Sequence, residues 1–190
     1  MSATKSGSAP AVVLDACTLV PIRLATTLLW LAEAGIFELL WSEQILGEVQ
    51  RTLPKLGLSP ERAERRVGSM RYAFGEAALV DDFDHLIPAL TCDPKDRHVL
   101  AAAVRAEADL IVTFNLKDFP PEAVSGRGID VVHPDTFLTA LVTENPVVVI
   151  KAVERGCAEL KDPPQTALQF LASLASTVPA FADTAAGEIR

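Results

Sequence analysis

The sequence predicts a three-layer α/β/α sandwich with a central parallel sheet, followed by a C-terminal extension that is helical throughout. Three observations carry this. Short apolar runs alternate with segments of helical period along the first two thirds of the chain, the pattern of a sheet covered by helices. The runs ending at Leu14 and Phe114 each stop on a polar residue, Asp15 and Asn115. From Pro134 onward the strand signal disappears and only helical stripes remain, such as Phe137, Leu138 and Leu141.

Taken in order, Val12-Val13-Leu14 is the first strand. Pro21 opens a helix over residues 21–34, with Leu24, Leu28 and Leu31 on one face and Gly35 as its stop. Residues 37–41 read as a short strand. Ser42 caps a helix that turns Ile45, Leu46, Val49 and Leu53 inward. After a break at residues 54–60, Pro60 starts a basic helix to about Gly75, apolar at Val67, Met70 and Phe74. Residues 77–80 and 85–87 are expected to be extended, 93–107 helical, and 110–114 and 129–132 strands. Pro146, Pro163, Pro164 and Pro179 punctuate the helical tail. The expected division is a lead-in over residues 1–10, an α/β domain over 11–134 and the helical extension over 135–190.

Composition narrows the function. The chain has 190 residues, 49% hydrophobic, ample for a real core. No apolar run has the length of a membrane helix, and the lead-in lacks the apolar stretch of a signal peptide, which points to the cytoplasm. Three widely spaced cysteines support neither a disulfide framework nor a zinc site, and the three histidines are scattered. The net charge of −8 argues against a general nucleic-acid coat. Yet six of the 17 basic residues, Arg51, Lys55, Arg62, Arg65, Arg66 and Arg71, fall in one short stretch. That stretch is either a solvated helix face or a local guide for a phosphate backbone.

Asp15, Glu48, Asp96, Asn115 and Asp118 are the chemical signal. In a parallel α/β sheet, strands end and helices begin on one edge, where ligands bind. Acids gathered there repel one another unless cations neutralise them, so a divalent-metal site for phosphate-ester chemistry is the economical reading. Hard oxygen ligands point to Mg²⁺ or Mn²⁺. Each acid also has an ordinary explanation. Asp15 suits a turn after a strand, Asn115 and Asp118 an Asx turn, and Glu48 a helix surface. Asp93 is expected to cap the helix, with Pro94 at its first position and Asp96 at its third. Asp96, on the stripe that continues to Val99, Leu100 and Ala103, needs a partner if buried.

The order and spacing of these segments resemble a known family. Val12-Val13-Leu14-Asp15, the stretch Ser42 to Val49 around Glu48, Asp93-Pro94-Lys95-Asp96 with the helix after it, and Ile111-Val112-Thr113-Phe114-Asn115-Leu116-Lys117-Asp118 look like the successive motifs of PIN-domain nucleases. They look most like the VapC-type toxins of bacterial toxin–antitoxin pairs. The resemblance implies metal-dependent RNA hydrolysis, with Asp15, Glu48 and Asp96 as the metal acids and Asp93 as a companion. Asn115 stands where many members carry a fourth aspartate, and either Asn115 itself or the nearby acid Asp118 supplies that position. Thr18 and Thr113 match positions where a hydroxyl supports the site, and Arg51, Arg62, Arg65 and Arg66 would guide the RNA. A cognate antitoxin and a homodimer are the implied partners. The alternative is an inactive PIN-fold module that binds RNA or protein. A phosphatase of the haloacid dehalogenase type is rejected, because Cys17 stands where that chemistry needs a second aspartate.

Overall fold

Four short strands, all parallel, form one sheet in the order β2-β1-β3-β4. The computed structural model describes residues 9–160 and 163–189; the first eight residues of the lead-in expected over 1–10 lie outside them. Along the chain the elements are β1 (Ala11–Leu14), α1 (Ala16–Leu19), α2 (Ile22–Glu33), β2 (Glu38–Leu40), α3 (Glu43–Thr52), α4 (Pro60–Phe74), α5 (Arg97–Arg105), β3 (Leu110–Val112), α6 (Pro121–Val124), β4 (Asp130–Val132), α7 (Pro134–Glu144), α8 (Pro146–Glu159), α9 (Ala167–Ala172) and α10 (Pro179–Glu188). The fold is thus a parallel sheet with flanking helices and a helical C-terminal region.

Two compact units divide these elements. The first holds the chain up to Val20 and Glu38–Val132. Its β1 is central, pairing with β2 through Val12 and Leu39 and with β3 through Val13 and Ile111. The β-branched residues Val12, Val13, Ile111 and Val112 are fully buried, as strands covered on both faces require. Helix α5 packs on β1 and β3, and α3 packs on α1 and α4. Ser42 caps α3, its Oγ accepting from Ile45 N at 3.2 Å, and Ser59 caps α4 by accepting from Arg62 N at 3.3 Å.

The second unit joins Pro21–Phe37 to the chain from His133 onward. Here α2 packs on α8, and α7 packs on both α8 and α10. Trp30 meets Phe170 with ring centroids 4.9 Å apart, and Phe37 meets Phe137 edge to face. Gly156 of α8 lies against Trp30, so close that a Cβ there would clash with the indole. Gly35 closes α2 at φ +73, the left-handed conformation that glycine adopts without strain. Among the described residues no single helix is long and apolar enough to cross a membrane; α7 and α8 carry that length only together, bent by 112°.

Three local expectations are corrected. Residues 77–80 and 85–87 are not strands but 3₁₀ turns, Glu76–Ala78 and Asp84–Ala89, and a lone bridge between Leu79 and Trp41 is what remains of the extended pairing. The helix expected from Asp93 begins at Arg97. Asp93 is therefore not its cap and Asp96 not its third residue: Asp96 N donates to Asp93 O at 2.9 Å, closing a turn, and Asp93 Oδ1 accepts from Lys95 N. Local side-chain bonding by aspartate competes with helix initiation and here prevails.

Candidate active site

The strand order fixes where a site can form. From β1 the chain crosses to β2 on one side and later reaches β3 on the other, so a crevice opens between the C-terminal ends of β1 and β3. Asp15 follows β1 and Thr113 follows β3, and their side chains meet across that crevice. Thr113 Oγ1 donates to Asp15 Oδ2 at 2.6 Å. The same carboxylate oxygen accepts from Cys17 Sγ at 3.1 Å, while Thr18 Oγ1 donates to the Asp15 carbonyl at 2.7 Å. Thr113 Oγ1 in turn accepts from Asn115 N at 3.0 Å. Asp15 is 3% exposed and held from both strands. Burial, then the neighbouring Asp15 charge, pushes the Cys17 thiol up to about 12, so it stays protonated and donates to the carboxylate.

A groove of about 520 Å³ opens beside it, lined by the polar and acidic residues Asp15, Cys17, Glu48, Asp96 and Asn115 and by the basic residues Arg51, Lys55 and Lys95. Glu48 reaches it from α3, half-buried, with its Oε1 3.4 Å from His98 Nε2. Burial lowers the His98 pKa, but the Glu48 carboxylate outweighs it and holds the imidazole above its ordinary value.

Asp96 differs from every other acid in the groove. It is 6% exposed, and its Oδ2 has no hydrogen-bond partner among the described residues. Desolvation, then the charge of Asp15, raises its pKa to about 6. The nearest cation, Lys95 Nζ, is 3.9 Å from that oxygen and 3.0 Å from Asp118 Oδ2. Bonding to Asp118, then the charge of Asp96, holds the Lys95 ammonium above its ordinary pKa.

The expected site residues therefore separate. Asp15, Glu48, Asp96, Asn115 and Arg51 line one groove. Thr113 and Thr18 stand behind Asp15, bonding it rather than lining the groove. Asp118 is buried and paired with Lys95, and Asp93 orients the Lys95 backbone; neither lines the groove. Arg62 and Arg65 are exposed on α4 away from it. Arg66, expected on the polar side of α4, is half-buried, its guanidinium donating to Leu19 O at 2.7 Å and Val20 O at 3.2 Å. It satisfies carbonyls at the end of α1 that would otherwise lack partners. Sequence reasoning missed Lys95, Cys17 and His98. Lys95 carried a signal, a cation between two aspartates, whereas His98 meeting Glu48 is a long-range contact with no local mark.

The donor set suits a hard divalent cation: carboxylates from Asp15, Glu48 and Asp96, one with an orphaned buried oxygen. Among the described residues no three His, Cys, Asp or Glu side chains are gathered closely enough to hold an ion as they stand.

Comparison with known proteins agrees with this frame. The profile described as PIN domain matches residues 11–117, more than half of the chain, and one described as VapC50 C-terminal domain matches residues 134–187. A protein of Mycobacterium tuberculosis (strain ATCC 25618 / H37Rv) named "Putative ribonuclease VapC50" is 42% identical over 112 residues, covering 58% of this chain and 62% of that relative. The chain thus matches a little under two thirds of the relative's length. No solved structure matches. With its profile match running from β1 past the end of β3, through the groove acids, the chain belongs to the PIN domain family.

Proposed function

We propose that this chain is a metal-dependent endoribonuclease, acting in the cytoplasm as the toxin of a toxin–antitoxin pair. The observation that carries the reading is Asp96: a buried carboxylate with an unpartnered oxygen, on the same groove as Asp15 and Glu48. A fold does not keep such a group for stability, since burying a carboxylate oxygen without a hydrogen bond is costly. The ribonuclease name of the relative and the VapC-like motifs support the substrate class. They support the antitoxin partner and a homodimer only through the resemblance.

Asp15, Glu48 and Asp96 would hold Mg²⁺ or Mn²⁺. Such an ion supplies a water of lowered pKa and neutralises charge on the phosphate. The chain's own part is orientation and attraction. Thr113 and Cys17 fix the rotamer of Asp15 by donating to one of its oxygens, and His98 holds Glu48 toward the groove. Arg51 and Lys55 give an otherwise acidic protein a local attraction for a phosphate backbone. Asn115 adds an amide where a fourth carboxylate would add charge.

The test is cleavage of a structured RNA pool by purified full-length protein with Mn²⁺, alongside EDTA and Asp96→Asn. Cutting that both controls abolish is the expected result. Folded, antitoxin-free protein that cuts no RNA would overturn the reading in favour of an inactive RNA- or protein-binding module.

A further inference from the structure

We propose that Lys95 is an internal counter-ion that holds the place of the cation in the metal-free protein, so that metal must displace its ammonium to load the site. The inference rests on the metal-dependent reading above and deepens it. Lys95 is positioned by two turns rather than by chance exposure. Asp93 Oδ1 accepts from Lys95 N at 3.1 Å, and Asp93 N donates to Asp118 O at 3.0 Å, docking the Leu116–Asp118 turn beside it. That docking brings the buried Asp118 carboxylate to 3.0 Å from Lys95 Nζ and leaves the ammonium 3.9 Å from the orphaned Asp96 oxygen.

The ammonium thus forms a close ion pair with Asp118 and a looser one with Asp96, and among the described residues neither carboxylate oxygen is in hydrogen-bonding alignment. The contact to Asp118 has hydrogen-bonding length; the one to Asp96 does not. At 3.9 Å the positive charge relieves part of the repulsion between Asp96 and Asp15 without satisfying the Asp96 oxygen. A divalent cation bound by Asp96 would bring two positive charges into the vicinity of the ammonium, and Coulomb repulsion then opposes binding. Because Lys95 is largely exposed at the groove, it can swing away, and water limits the penalty. Asp118 would then be the tether of Lys95 rather than a metal ligand, in keeping with its absence from the groove lining.

The experiment is calorimetric titration of full-length protein with Mn²⁺, in the absence of RNA, for wild type, Lys95→Met and Lys95→Arg. Thermal unfolding of each establishes that it is folded. Lys95→Met, which keeps the stem and removes the charge, should bind Mn²⁺ roughly three- to tenfold more tightly, and Lys95→Arg should stay near wild type. The metal-free Lys95→Met protein should also unfold at a lower temperature and gain more from Mn²⁺ than wild type does. Unchanged or weaker Mn²⁺ binding by a folded Lys95→Met would overturn the counter-ion role while leaving the metal-dependent reading intact. Absence of Mn²⁺ binding in both proteins would overturn both.

Discussion

The two ends of the parallel sheet carry similar chemistry put to different use. At the end where strands begin, a groove of about 430 Å³ is lined by Glu38, Arg105 and Asp109 among others. Asp109 Oδ2 accepts from Ala11 N at 2.8 Å, Asp109 N donates to Ala11 O, and its carbonyl accepts from Asp130 N. It ties the starts of β1, β3 and β4 together. At the other end Asp96 is more deeply buried, and one of its oxygens has no hydrogen bond among the described residues. Groove size does not separate the two ends, nor does the presence of carboxylates. Hydrogen bonding at the groove does: the Asp109 carboxylate is bonded into the frame, whereas Asp96 brings to its groove a buried oxygen with no hydrogen bond among the described residues.

The largest effect that would sharpen this contrast is on catalysis. Asp15→Asn and Asp96→Asn should each lower the RNA cleavage rate by about 10³-fold or more, as expected for groups that hold a catalytic ion. Asp109→Asn should stay within about threefold, because an Asn side-chain oxygen still accepts from Ala11 N. Comparable losses in all three, measured under single-turnover conditions, would erase the distinction between the ends.

The arginines offer a second contrast, between α3 and α4. Arg66→Ala should cost about 1–3 kcal/mol in urea unfolding, since it strands the Leu19 and Val20 carbonyls, with RNA affinity little changed. Arg51→Ala should leave stability nearly unchanged and weaken RNA binding severalfold, more so at low salt. The reverse pattern would return Arg66 to the substrate path.

A smaller effect concerns stability against pH. The folded-state pKa of Asp96, about 6, lies above the unfolded value of an aspartate, so the metal-free native state binds more protons between the two. Stability from this group is fully present below the unfolded pKa and is lost as pH rises through about 6. Asp96→Asn should therefore be the more stable protein at pH 7.5 without metal, by about 1 kcal/mol, reduced from the full shift because water reaches the groove. The difference should shrink toward pH 5. Urea midpoints at the two pH values check it.

Much of this was legible in the sequence, and the gaps have physical causes. The apolar runs ending at Leu14 and Phe114, with a polar residue after each, led to the sheet edge where Asp15 and Asn115 line one groove, because a buried parallel strand leaves little freedom in composition. The capping residue Ser42 was equally plain, whereas the Ser59 cap of α4 emerges only from the structure. Asp93-Pro94 misled because the signature of a helix start is also that of a tight turn, and the bond from Lys95 N to Asp93 decided for the turn. Residues 77–80 had strand composition, but among the described residues their strand pairing is the single bridge from Leu79 to Trp41. The docking of Arg66 on α1 and of Glu48 beside His98 joins residues far apart in the chain, which no local pattern marks. The clustering of Pro21–Phe37 with the C-terminal helices is of the same kind, visible only through packing such as Gly156 against Trp30.

The measurement that bears most directly on the reserved carboxylate is the rise in unfolding temperature that Mn²⁺ gives to wild type, Asp96→Asn and Asp109→Asn. Metal that binds only the folded state stabilises it by mass action. Wild type and Asp109→Asn should rise together as Mn²⁺ is added, while Asp96→Asn stays flat. A rise in Asp96→Asn equal to that of wild type would contradict the assignment of Asp96 to the metal.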